Sequence, residues 1–110
     1  MSTKRPIRSE EIALIEFLLT KIDSENNLYT IPEEVEEYGA PGMGSINLNN
    51  PNTDLYDSDL IQAEYTDADK IPVVISLTKD QNNQLLDLDF WKSDFSKLVA
   101  YPKPKDLMFA

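Results

Sequence analysis

Two aspartates near the end of the chain, Asp87 and Asp89, are the residues best placed to do chemistry. They alternate with Leu86, Leu88 and Phe90. Strand geometry therefore puts both carboxylates on one face, roughly 7 Å apart. That spacing resembles the carboxylate pair of a glycoside-type hydrolase. Catalysis would also need a cleft and a raised pKa, which spacing alone does not supply. A solvated sheet face, or a face that binds a partner, explains the pair as simply. Trp91 continues the alternation on the same side. An exposed tryptophan among acids is a plausible binding anchor. The plainer alternative is that Trp91 folds against Phe95 or the tail.

Other chemistries are narrower still. The chain has no histidine and no cysteine. Ser-His-Asp and Cys-His arrangements and the common zinc sites are therefore excluded. Asp80, Asn82 and Gln84 alternate as in a calcium loop. The sixth position is Leu85 instead of glycine and the twelfth is Trp91 instead of glutamate, so the match fails and a β-turn explains the segment. Asp54, Asp57 and Asp59 could at most bind a divalent ion weakly. Gly39, Gly42 and Gly44 lack the Gly-Lys-Ser/Thr of a phosphate loop and sit in negative surroundings. Backbone freedom at a sharp bend accounts for them. No cofactor is expected.

Charge gives the broadest signal. Between Lys21 and Lys70 there is no basic residue, yet the stretch holds twelve carboxylates: Asp23, Glu25, Glu33, Glu34, Glu36, Glu37, Asp54, Asp57, Asp59, Glu64, Asp67 and Asp69. Such a segment must face water or meet something positive. The whole chain of 110 residues carries a formal charge of −10. That disfavours nucleic acid, which needs clustered Lys and Arg, and an anionic membrane surface. A cationic protein partner remains, as does solubility alone. The N-terminal Lys4, Arg5 and Arg8 are followed by no apolar signal-peptide region. No run approaches a membrane span. With no cysteine, a cytoplasmic location is expected.

The elements that must position these residues follow from periodicity. Residues 9–22 read as a helix: Ile12, Ile15, Leu18, Leu19 and Ile22 recur at helical spacing, with Ser9 as N-cap and Glu10 and Glu11 in the first turn. Residues 23–27 read as a stop and loop, and 28–31 as a short strand. Residues 32–37, with Glu33, Glu34, Glu36 and Glu37, read as a loop or single helical turn. A strand over 45–48 precedes a turn at 49–52. Residues 60–66, 71–78 and 85–91 read as an antiparallel meander, with turns at 67–70 and 79–84. Phe95, Leu98, Val99 and Tyr101 extend the apolar pattern before a Pro-containing tail. The expectation is one α+β domain over residues 1–110, with a short flexible N-terminus and its helix packed on an antiparallel sheet of about four strands. An uncovered sheet edge would allow a monomer or a homodimer.

Three blocks resemble a family of small uncharacterised bacterial proteins. They are Arg5-Pro6-Ile7 with residues 10–19, Gly42-Met43-Gly44-Ser45, and Leu88-Asp89-Phe90-Trp91-Lys92-Ser93-Asp94-Phe95-Ser96. The resemblance covers roughly residues 5–101. The middle block often reads Asp-Gly-Gly-Met-Gly-Ser in that family; here Ala40-Pro41 replace part of it. The family resembles a domain of unknown function, so it implies no catalytic residues. Small acidic bacterial proteins of this sort are similar to immunity proteins encoded beside cationic toxins. The expected function is a non-enzymatic domain that binds a basic protein, with Glu33, Glu34, Glu36, Glu37, Asp87, Asp89 and Trp91 as contacts. The alternatives are a small carboxylate-dependent hydrolase and a divalent-ion binder.

Overall fold

A computed structural model describes residues 4–22, 29–39, 42–48, 56–82 and 84–109. The elements run β1 (Lys4–Pro6), α1 (Ser9–Thr20), β2 (Glu34–Glu37), β3 (Ile46–Asn47), β4 (Tyr56–Thr66), β5 (Pro72–Asp80) and β6 (Leu85–Lys92), then a 3-10 turn at Pro104–Asp106. Among the described residues, the strands join one antiparallel six-stranded sheet in the order β1-β2-β3-β6-β5-β4. The α+β class is as the sequence implies, but with six strands instead of about four. The expected turn at 49–52 and the loop at 23–27 lie outside the described residues.

The helix buries Leu14, Ile15 and Leu18 against the sheet. Arg8, not Ser9, is its N-cap, and Glu11 Oε1 accepts the Arg8 N–H at 2.8 Å. Glu11 is buried because Arg5 grips it from β1, with Nη1 and Nη2 donating to its two oxygens at 3.0 and 2.8 Å. Arg5 Nε also donates to Glu37 at 2.8 Å. One guanidinium thus ties β1 to α1 and β2, as its planar fork permits.

The β4–β5–β6 meander appears where alternation places it, although β4 begins earlier than residue 60. Its extra length carries two irregularities, between Tyr56 and Ser58 and between Asp59 and Ile61. On β5 and β6, Val73, Ile75, Leu77, Leu88 and Phe90 face the helix as the core. The acidic run was expected to be a loop or a single helical turn, but Glu34–Glu37 is a strand between β1 and β3, and Val35 is buried. Tyr29, Thr30 and Ile31 are not in a strand.

A buried ion pair closes the far end of the meander. Lys92 and Asp67 are both fully buried and joined at 2.8 Å. Lys92 Nζ also donates to Asp69 at 2.7 Å and to the Lys97 carbonyl at 2.8 Å, so each of its protons has an acceptor. The Asp67 carboxylate also accepts N–H bonds from Ala68, Val99 and Ala100 at 2.7 to 2.9 Å. The β4–β5 turn is thereby stapled to the chain that follows β6. Burial alone would raise the Asp67 pKa. The Lys92 ammonium and the three backbone donors outweigh it and bring the pKa down to about 2.

A carboxylate whose folded pKa lies below its unfolded value of about 3.9 stabilises the fold above that value. The contribution is lost as pH falls toward 2. Asp67→Asn turns an amide toward these donors and leaves Lys92 under-compensated. At pH 7 it should lower the melting temperature by on the order of 10 °C. The gap from the native chain should close as melts are repeated toward pH 2. A gap independent of pH would show that shape, not charge, governs this site.

Candidate functional site

The face of the sheet opposite the helix gathers most of the residues singled out by the sequence. Strand register aligns them in rows across the sheet. Lys4 pairs with Glu36, Glu36 with Asn47 and Asn47 with Asp87. Asp87 is bonded to Thr78, which pairs with Asp59. This row crosses all six strands. A second row runs from Tyr38 through Ser45, Asp89 and Ser76 to Gln62. A third holds Trp91, Val74 and Glu64.

Each aspartate in these rows faces a hydroxyl. Thr78 Oγ1 donates to Asp87 Oδ1 at 2.7 Å and accepts the Asp87 N–H at 3.1 Å. Tyr38 Oη donates to Asp89 Oδ1 at 2.9 Å, and Ser45 Oγ reaches the same oxygen at 3.4 Å. Tyr56 Oη donates to Asp59 Oδ1 at 2.7 Å, and Gln62 Nε2 holds the other oxygen at 3.1 Å. Among the described residues, no salt bridge reaches Asp59, Asp87 or Asp89. Burial pushes the Asp87 pKa up. The Thr78 bond opposes this, and the charges of Asp89 and Asp59 add to it. Burial and the charges of Asp87 and Asp89 raise the Tyr38 phenol likewise, so it stays a donor.

The expected contact residues divide between two sides. Glu34, Glu36, Asp87, Asp89 and Trp91 share the open face. Glu37 points to the helix side and is held by Arg5. Glu33 is exposed before β2, and its carbonyl accepts the Ile7 N–H at 2.9 Å. Trp91 meets Phe95 edge-on with ring centroids 5.8 Å apart, as the plainer alternative has it, and remains 47% exposed. Tyr38, Ser45, Thr78 and Tyr56 were not foreseen. Tyr38 was readable only if the acidic run had been taken as a strand, since it continues the Glu34 and Glu36 alternation.

The other proposed chemistries find less. Among the described residues, no three acidic side chains converge as a metal site would need; Asp54 lies outside them. Asp57 pairs with Lys79 at 3.2 Å. Asp80 Oδ1 accepts the Asn82 and Gln84 N–H groups at 2.8 and 3.0 Å, an ordinary Asx-type turn. Gly44 has φ of +101°, which favours glycine, and a Cβ there would also crowd Phe90 and Leu98 at 3.2 to 3.4 Å. Ala40 and Pro41 lie outside the described residues. A hollow of about 320 Å³ lies beside β4 and the C-terminal segment, lined by Gln62, Ala63, Glu64, Val74, Met108 and Phe109. Neither Asp87 nor Asp89 lines it.

These features define a small α+β domain with an acidic, hydroxyl-rich sheet face. The chain belongs to the DUF6984 family, a domain of unknown function, which matches residues 4–102. The match runs from β1 to the segment stapled by Asp67. No curated protein and no solved structure matches the chain. None of the described helices is long and apolar enough to cross a membrane.

A carboxylate whose folded pKa is raised opposes folding at neutral pH, and that opposition disappears below its unfolded value. Asn at position 87 keeps an acceptor for Thr78 and removes the repulsion. Asp87→Asn should therefore raise the melting temperature at pH 7 by a few degrees. The gain should fade by about pH 4. A lowered melting temperature at pH 7 would mean that the Asp87 charge is structural.

Proposed function

We propose that this is a non-enzymatic domain that binds a basic protein through the open face of its sheet. The observation that supports this best is the state of Asp87 and Asp89. Both are half-buried, and no cation of the described residues compensates either of them. Burial and neighbouring negative charge make the ionised Asp87 cost stability, and a partner's cation would recover it. Glu34, Glu36, Asp59 and Glu64 extend the same field, which would steer a basic surface and speed encounter. Trp91 supplies an apolar anchor beside it. The fuller reading is a bacterial, cytoplasmic immunity protein that neutralises a cationic toxin. Its support is the acidity of the chain.

A second reading draws on the raised pKa of Asp87 next to Asp89. A carboxylic acid with a raised pKa can serve as the general acid of a hydrolase, and Asp89 lies on the same strand face. In that case Asp87→Asn and Asp89→Asn would each abolish turnover of a glycoside substrate. Unchanged turnover in either variant removes the enzyme reading.

The binding reading is tested by affinity capture with the native chain and with the Asp87→Asn/Asp89→Asn double variant. The native chain should retain a basic protein that the variant loses. Its association rate should fall about tenfold between low and high salt. An acidic partner, equal capture by both baits, or a rate indifferent to salt would overturn it. A toxin gene next to the gene for this chain would favour the immunity role over other protein binding.

A further inference from the structure

The third row of the open face is where its acidic field meets exposed apolar surface. Trp91 is the only tryptophan in the chain. Val74 stands directly across from it on β5, and Phe95 packs against it edge-on. Phe95 itself is 67% exposed and sits at φ of 61°, a conformation that glycine or asparagine would adopt more readily. Asp89 lies two residues before Trp91 on the same face, roughly 7 Å away by strand geometry. Both hydroxyls that reach Asp89 bond to Oδ1. Among the described residues, Oδ2 has no donor. An open aromatic surface therefore lies beside a half-buried carboxylate oxygen that still has acceptor capacity.

The geometry points to a subsite for an arginine side chain carried by a basic protein partner, stacked on Trp91 against Phe95 and donating to Asp89 Oδ2. This rests on the binding reading above and specifies its chemistry. Arginine fits better than lysine. Its guanidinium is flat and weakly hydrated, so it can stack on an indole while its N–H groups point sideways to a carboxylate. Lysine offers a compact, strongly hydrated charge that would have to choose between ring and carboxylate. Nucleic acid is repelled by the surrounding charge. A second copy of the chain would bring the same acids face to face, so it too is disfavoured.

Because Trp91 is the sole tryptophan, its emission reports on the subsite directly. The experiment titrates the full chain at low salt with hexa-arginine and with hexa-lysine, peptides of equal charge. Hexa-arginine should perturb Trp91 emission at about threefold to tenfold lower concentration. Asp89→Asn and Phe95→Gly should each erase most of that preference. Phe95→Gly relieves the backbone and so keeps the fold intact. Glu16→Gln on the exposed helix surface should change nothing. Equal binding of the two peptides would overturn the arginine subsite while leaving the basic-partner reading standing. So would a preference that survives in both variants. No binding of either peptide at low salt would overturn the acidic-face reading itself, and the subsite with it.

Discussion

The fold depends most on one compensated charge. Lys92 ends β6 facing the core, where an ammonium without acceptors could not persist. Asp67, Asp69 and the Lys97 carbonyl supply them. In return, Asp67 fixes the backbone at Val99 and Ala100. This holds Leu98 and Tyr101 against the core, with the Leu98 N–H donating to Gly42 at 3.0 Å and Tyr101 packed on Phe90. The turn that carries Phe95 lies between these fixed points. The position of the exposed aromatic pair thus derives from a lysine on the opposite side of the sheet.

The distribution of cations explains how so acidic a chain forms a compact sheet. Arg5 is used between β1, α1 and β2, Lys92 beneath the meander, and Lys79 against Asp57. Lys21 lies over the rings of Phe17 and Phe109, 5.0 and 5.8 Å from their centroids. Each of these neutralises charge or covers apolar surface at a junction between elements. Of the basic residues in the described strands, Lys4 lies in the open-face rows, at the β1 edge. The carboxylates of that face rely on hydroxyls, which share a proton without cancelling a charge. Among the described residues, Asp59, Asp87 and Asp89 thus keep their negative charge uncompensated on this face.

The sequence made the helix and the meander readable because their apolar residues repeat at fixed intervals. The same period of two placed Asp87, Asp89 and Trp91 on a common face. Carried one step further, it also puts Lys92 inward, beneath Leu86, Leu88 and Phe90. The residue type argued against that, since a buried lysine is rare without a partner, and its partner lies 25 residues earlier. β1 and β2 were illegible for a different reason. Pro6 and a run of glutamates are poor strand formers, and only pairing to their neighbours makes them strands. Because β2 was missed, Tyr38 and its bond to Asp89 were missed too.

The sheet is uneven along its width. β4, β5 and β6 are long and joined through tight turns, whereas β1, β2 and β3 are two to four residues each and are reached by distant stretches of chain. Short strands of this kind open at low free-energy cost and exchange their amide protons early. The row from Lys4 to Asp59 crosses both parts. A body lying along it would grip the weak and strong halves together, and opening of the short strands would then require its release. Occupancy of that face would register as slowed amide exchange in β1 and β2, far from any single contact.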